Sequence, residues 1–447
     1  MIFSADSLRA VLALHTPNRA TGFLVALSGG ADSACLLTAL CPPGRPLWRN
    51  LPVRAVHVDH GLQSAAAAFR DACEALCRRL EVPLTVVAAV VETGAGVSLE
   101  AAARDARYAA LALQMRDGEC LLTAHHAQDQ AETVLLQLLR GAGLKGLAAM
   151  PPCRSWQRGW HLRPLLDVTR QDLERYAGAW GVTAVNDPMN ADQRFDRVYL
   201  RTSLWPLVEA RWPGAARALA RTARHVGEAQ ALLDQAAAAS VDQLRDGAAL
   251  SVPALRALSA AEQRNALRYW ILQQSVPPPS ARRLAEALRQ IVAANDDHLP
   301  AVLWGDHALR RYRNRLFLTP AMPPCVDERG EWATAAAATH LLARGLGTLQ
   351  WSSQSGGLDA ARLPAMLVVR RRRGGESLKP QRYARTQTLQ HLCQSLGVLP
   401  WMRNALPLLY AGDELIAVGD LWQDARWCVA AGAPGLGCVW RAAPTLV

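Results

Sequence analysis

The chain has 447 residues, 51% of them apolar, enough for two or three domains with buried cores and too many for disorder. Its formal charge is +11, which suggests a polyanionic partner, and all but two of its 49 basic residues (Lys145 and Lys379) are arginine, a bias that suits bidentate phosphate contacts and that genome composition alone also produces. No apolar run approaches the ~18–20 residues of a membrane span, the first residues carry no basic leader, and the ten cysteines form no C-x-x-C pair. We therefore expect a cytoplasmic protein with neither structural zinc nor a dithiol redox site.

In chain order, the first predicted strand is "TGFLVAL". It stops abruptly at Ser28-Gly29-Gly30-Ala31-Asp32-Ser33, and helical spacing resumes at once in "SACLLTAL". Glycines let backbone N–H groups approach an anion closely, and the helix that follows aims its positive end at it. Ser28 and Ser33 add hydroxyl donors, and Asp32 is a candidate magnesium ligand. Taken alone, the hexapeptide also reads as a Gly-Gly turn with an Asp or Ser helix cap.

The alternation then repeats. "VRAVHVDH" is a strand followed by the helical "SAAAAFRDACEALCRRL"; "PLTVVAAVV" is a strand followed by "SLEAAARDARYAALALQMRDG"; "CLLTAHH" is a strand followed by "AQDQAETVLLQLLRGAG". Such βα units predict an α/β fold with a parallel, Rossmann-like sheet. Polar residues gather just after the strands, at 28–33, at His57, Asp59 and His60, and from His125 to Glu132. Ligands of open parallel sheets bind beyond the carboxyl ends of the strands, so these segments are expected to converge on one crevice.

Asp129 and Glu132, three apart at a helix start, share a face; acids there can also simply complement the helix dipole. Arg104 and Arg107 share a helix, and Arg140 to Lys145 lie in a Gly-rich helix stop. From about Trp205 to Gln290 the pattern is helical, broken at "SVPPPS"; "LTPAMPPCVDERGEW" reads as a linker. The last ~100 residues mix short strands ("AMLVVRRRR", "ALPLLYAGDELIAVGDLW") with a helical "TQTLQHLCQSLG". Between Arg362 and Arg403 stand nine basic residues, including Arg370, Arg371, Arg372 and Arg373, and one acid, Glu376. That cluster suits an RNA backbone, with Tyr383 and Trp401 as candidate stacking residues.

SGGADS matches the SGGxDS loop of the PP-loop ATP pyrophosphatases. Together with "HVDHGL", "EAAARDARY", "TAHHAQDQAETVLLQLLRGAGLKGL" and "NDPMNADQRFDRVYLR", the chain resembles their tRNA(Ile)-lysidine synthetase branch, most densely over residues 23–201. The resemblance implies ligation of free L-lysine to carbon 2 of the wobble cytidine of CAU-anticodon tRNA(Ile), through an adenylated cytidine, with ATP and Mg2+. It implies a PP-loop catalytic domain at 1–210, a helical tRNA-binding domain at 211–325 and a basic α+β tRNA-binding domain at 345–447; a homodimer is left open. Asp32, His126, Asp129 and Glu132 are then the catalytic set, with Asp32 on the metal. Ser28, Gly29, Gly30, Ala31, Asp32, Ser33, His57 and Asp59 hold the nucleotide. Arg104, Arg107, His125, Arg140, Lys145, Arg201 and Arg370 to Arg373 face the tRNA. Two positions depart from the branch: Gln128 replaces an acid and Val198 an asparagine. The rival within the fold is tRNA thiolation, whose sulfur carriers commonly show the cysteine pairs absent here.

Overall fold

A strand buried on both faces reads as a continuous apolar run, and Gly22–Ala26 is such a strand, with Phe23, Leu24 and Val25 fully buried. The computed structural model describes residues 3–44, 48–59, 66–89, 99–182, 195–293, 300–323, 325–326, 330–334, 338–343, 345–381, 383–444 and 446. The chain divides into two compact units, Met1–Leu233 and Asp234–Val447.

In the first unit α1 (Ala5–His15) precedes the repeat β1 (Gly22–Ala26), α2 (Ala31–Leu40), β2 (Val53–Asp59), α3 (Ala66–Arg79), β3 (Leu84–Ala88), α4 (Leu99–Gln114), β4 (Glu119–Leu122) and α5 (Ala127–Leu139). A single turn, α6 (Leu144–Leu147), leads to the hairpin β5 (Cys153–Trp156) and β6 (Gly159–Leu162), and then to α7 (Arg170–Trp180). The sheet order is β3-β2-β1-β4-β6-β5, parallel throughout except for edge strand β5. Alternation along β1 sends Phe23 and Val25 into a core with Cys35, Leu36 and Leu173, and Leu24 into a second core with Leu111 and Met115. Helices thus cover both faces, as a parallel sheet requires.

After α8 (Asp196–Tyr199) the helix widens into a π-helical turn, Leu200–Leu204, before α9 (Trp205–Arg211) and the long α10 (Ala215–Leu244). Ala127 and Ala131 of α5 pack on Leu200, Trp205, Ala216 and Ala220. The small alanine face lets these helices approach, and it brings the 195–204 segment against the start of α5.

In the second unit, β7 (Arg245–Asp246), β8 (Ala249–Ser251), α11 (Val252–Ala257), α12 (Ala260–Gln273), α13 (Ala281–Ala293), β9 (Ala301–Trp304), β10 (His307–Tyr312) and β11 (Arg315–Pro320) form an antiparallel sheet, β7-β8-β11-β10-β9, with a shared helix–sheet core. The remainder holds β12 (Gly330–Ala333), β13 (Thr339–Leu341), β14 (Thr348–Ser355), β15 (Met366–Arg370), β16 (Ser377–Leu378), β17 (Gln387–Thr388), α14 (Leu389–Leu396), β18 (Leu408–Ala411), β19 (Glu414–Val418), β20 (Trp422–Gln423) and β21 (Pro434–Arg441). They pair as β12-β15-β18-β19-β20, β13-β14-β21 and β16-β17.

The α/β class and the βα repeat follow the expectation. Three features do not. Helix α1 and hairpin β5–β6 stand outside the βα repeat, the segment around 301–320 is a meander of strands, and "LTPAMPPCVDERGEW" is not a free linker, because its ends belong to β11 and β12. Among the described residues no helix is long and apolar enough to cross a membrane.

Candidate active site

The loop after β1 ends at Gly30, the N-cap of α2, which offers no side-chain cap to the helix. The first N–H groups of α2 therefore lack both an intrahelical partner and a capping side chain, the arrangement in which helix N-termini take phosphate. The serines shape the loop from within. The Ser28 N–H donates to Ser33 Oγ at 3.1 Å, the two hydroxyls lie 3.0 Å apart, and the Ser33 hydroxyl donates to the Gly30 carbonyl at 3.1 Å. Gly29 has φ +83°, and a Cβ there would stand 2.8 Å from Phe69 Cδ1 and 3.0 Å from the Phe69 carbonyl oxygen. Both its conformation and its neighbour demand glycine.

The predicted convergence is present for the described residues. From the end of β2, the buried His57 ring reaches the Leu27 carbonyl at 2.9 Å, with Cys73 Sγ 3.5 Å from the same Nδ1. Because the carbonyl only accepts, His57 carries its proton on Nδ1 and pins the strand–loop junction. Asp59 ends β2, and His60 lies outside the described residues.

From the end of β4, His126 caps α5. Its Nδ1 accepts from the Gln128 N–H at 3.2 Å, and its own N–H donates to Asp129 Oδ2 at 3.0 Å. With Nδ1 accepting, the neutral ring bears its proton on Nε2, which sits 3.7 Å from Asp32 Oδ2 and 3.6 Å from Asp129 Oδ2. One imidazole thus joins the loop carboxylate to the helix carboxylate. Burial pushes the Asp32 carboxyl above the usual range; His126 opposes that shift and Asp129 adds to it. Its side chain is still 44% exposed. A half-open carboxylate beside a phosphate cradle fits magnesium, which takes one or two protein carboxylates and completes its shell with phosphates and water.

Asp129 and Glu132 meet two arginines from α8 and the π-turn. Arg197 donates through Nε to Glu132 at 2.9 Å and through a terminal nitrogen to Asp129 at 3.1 Å. Arg201 donates to both Glu132 oxygens at 2.8 and 2.9 Å and to Asp129 at 3.2 Å. Glu132 is 0% exposed. It serves here as the buried anchor of the two guanidiniums and does not open to the crevice. Gln128, the departure from the branch pattern, donates its amide to Glu132 at 3.4 Å, where an acid would repel. The residue replaced by Val198 is likewise not required for the grip of Arg201. Burial would raise the Asp129 carboxyl, yet the N–H groups of His126 and the Arg197 guanidinium outweigh it and hold it down to about 2.

His125 lies beside this cluster, with Nδ1 2.8 Å from Thr123 Oγ1. Burial, opposed by Asp129 and reinforced by Arg163, Arg104 and Arg197, pushes it down to about 3, so it is neutral. Arg104 and Arg107 stack over Tyr108 at 5.1 and 5.7 Å and feed the same positive field.

Other predicted residues stand apart from this centre. Arg140 caps the far end of α5, about 16 Å along the axis from Asp129, and pairs with Asp196 at 3.1 Å on the surface; Lys145 is exposed on α6. In the second unit Arg370 lies 3.5 Å over the Tyr410 ring, and Arg372 pairs with Glu376 at 3.5 Å. Glu376 also accepts from the N–H groups of Arg373 and Gly374, which leaves the Arg373 side chain exposed on an anchored turn. Trp401 and Tyr383, expected as stacking residues, pack against the core of that unit.

Sequence reasoning passed over Thr123, His161 and Arg163. Arg197 stands in the same sequence element as Arg201 and at the head of a basic stretch, but its grip on the acids of α5 was not foreseen. His161 and Arg163 follow the period-2 spacing of a strand that had not been identified.

Residues 4–208 match the family model described as a PP-loop domain, residues 250–317 the TilS substrate binding domain, and residues 367–440 the TilS substrate C-terminal domain. The chain is 39% identical over 432 residues to the tRNA(Ile)-lysidine synthase of Alkalilimnicola ehrlichii, covering 96% of each chain. It is 37% identical to that of Methylococcus capsulatus, covering 97% of this chain and 98% of the relative, and 35% identical to that of Coxiella burnetii, covering 98% and 96%. With the loop, the histidine cap and the acid pair assembled at the ends of adjacent parallel strands and full-length relatives beside them, the chain belongs to the tRNA(Ile)-lysidine synthase family.

Proposed function

We propose that this protein is a carbon–nitrogen ligase of the cytoplasm that joins free L-lysine to carbon 2 of the wobble cytidine of CAU-anticodon tRNA(Ile), at the expense of ATP, switching codon reading from AUG to AUA. The observation that carries this reading is His126, placed between the phosphate-loop carboxylate Asp32 and the helix carboxylate Asp129.

A ring carbonyl oxygen is a poor leaving group. Its attack on the α-phosphorus of ATP, with loss of pyrophosphate, makes it an adenylate. Lysine Nε then attacks carbon 2, AMP departs with the oxygen, and the amine loses its proton. The N–H groups of Ala31 to Ser33, with the Ser28 hydroxyl, receive the phosphates. Asp32 would hold a magnesium ion, which would supply neutralisation of the phosphate charge. Asp129, held far below the usual carboxylate range, is a permanent anion and a poor base. It suits an ammonium or a cytosine amino group. Freeing the lysine amine at neutral pH costs ~5 kcal/mol from its reference pKa, a cost met by desolvation as the substrate closes over the site. Glu132 keeps Arg197 and Arg201 against Asp129.

Residues 1–210 form the catalytic domain in this reading, with tRNA held by 211–325 and 345–447; the +11 charge of the whole chain supports a polyanionic substrate. The decisive test is incorporation of labelled lysine into CAU-anticodon tRNA(Ile), dependent on ATP and Mg2+. Pyrophosphate release without lysine transfer would overturn the assignment. Asp129→Asn is expected to abolish incorporation while leaving tRNA retention on filters intact; unchanged turnover would remove Asp129 from the site. For the basic turn, Arg373→Ala is expected to reduce the slope of log K against log salt by about one with no change in thermal unfolding. Arg370→Ala instead strips its stack from Tyr410 and lowers the unfolding midpoint, by an interaction worth about 0.5–2 kcal/mol.

A further inference from the structure

We infer that Arg163, His161 and Thr123 are positioning residues that lock His125 as its Nε2–H tautomer, so that His125 meets the substrate as a hydrogen-bond donor and not as a base. The inference deepens the function proposed above and rests on it for the identity of the substrate.

The direction of the chain follows from what each group is able to give. A guanidinium has donors only, so His161 Nδ1, 3.1 Å from an Arg163 terminal nitrogen, must accept. His161 is 0% exposed, and burial together with the adjacent Arg163 keeps it neutral. Its single proton therefore sits on Nε2, 2.9 Å from Thr123 Oγ1, and is donated there. A hydroxyl has one hydrogen. With its oxygen accepting from His161, Thr123 turns that hydrogen to His125 Nδ1 at 2.8 Å. His125, also neutral, is left with its proton on Nε2.

The chain is enclosed. Tyr108 and Trp156 lie 5.7 and 5.8 Å from the His161 ring, both tilted against it, and Arg163 is further tied to the Pro151 carbonyl at 3.0 Å. Burial disfavours water as a substitute partner that could reverse the order of donors. A neutral imidazole presenting N–H polarises a carbonyl or steadies developing negative charge. It cannot take the lysine proton through that same nitrogen. The locked tautomer thereby removes His125 from the candidates for general base and leaves its Nε2–H as a donor to a hydrogen-bond acceptor of the substrate.

The experiment is long-range 1H–15N NMR of histidine-labelled full-length protein at pH 7, with the His125 signals assigned by His125→Asn, alongside steady-state lysine incorporation. The wild type is expected to show the Nε2–H pattern for His125. Thr123→Val, which keeps shape and loses both hydrogen bonds, should give mixed tautomers and a ten- to hundredfold fall in kcat, with KM for ATP and tRNA changed less than twofold. Thr123→Ser should restore the pattern and most of the turnover. An Nδ1–H or imidazolium pattern in the wild type, wild-type turnover in Thr123→Val, or a Thr123→Ser variant as impaired as Thr123→Val would each overturn the chain. A wild-type protein with the Nε2–H pattern but no lysine incorporation would instead sink the proposed function and leave the tautomer assignment standing.

Discussion

Glu132→Ala is expected to lower the unfolding free energy by about 3 kcal/mol, at the lower end of what breaking a buried ion pair costs. The carboxylate is 0% exposed and accepts from Arg197 and Arg201 on both oxygens. Truncation leaves two guanidiniums facing a void with only Asp129 as counter-charge. Their side chains are 23% and 30% exposed, so water partly compensates, which sets the effect at the lower end of the range. Glu132→Gln keeps the volume and one acceptor and should cost about half as much. The fall should appear as a lowered urea midpoint of the full chain. Lysine incorporation should drop with it, because the same contacts hold the 195–204 segment against the acids of α5. A Glu132→Ala variant with a wild-type midpoint would show that the carboxylate is not the anchor described.

Gly29→Ala is expected to reduce kcat/KM for ATP at least a hundredfold, or about 2.7 kcal/mol of transition-state stabilisation. A left-handed backbone conformation costs a non-glycine residue roughly 1–2 kcal/mol. The added Cβ would also meet Phe69 Cδ1 at 2.8 Å and the Phe69 carbonyl oxygen at 3.0 Å. The loop must shift, and with it the N–H groups that face the phosphates. Gly30 is different. Its φ is −82°, and a Cβ there would meet only Ser28 Oγ, at 3.4 Å, so Gly30→Ala should cost less than tenfold. Adding Phe69→Ala to Gly29→Ala should restore little, because the Phe69 carbonyl and the positive φ remain. Equal effects at the two glycines would refute this division.

Much of this site could be read before any coordinates. An apolar run that changes period across two glycines is a local signal, and it located the loop, α2 and the sheet. The polar ends of β2 and β4 pointed to a common crevice because parallel strands share a carboxyl edge. Roles within the crevice were less legible. Glu132 looked equivalent to Asp129, since both are acids on one helical face. Only packing against Leu200 and Trp205 placed two arginines on Glu132 and left Asp129 beside His126.

The sequence by itself determined the α/β class, the family resemblance, and where the glycine loop and the two acids fall on the strand–helix pattern, because those depend on spacing between near neighbours along the chain. The tertiary structure alone decided which glycine is obligatory, which carboxylate is an anchor and which proton His125 carries. Those depend on Phe69, Arg197, Arg201, His161 and Arg163, most of them more than thirty residues away from the group they control. Hydrogen-bond direction and steric exclusion act over ångströms in space, and sequence distance carries almost no information about them.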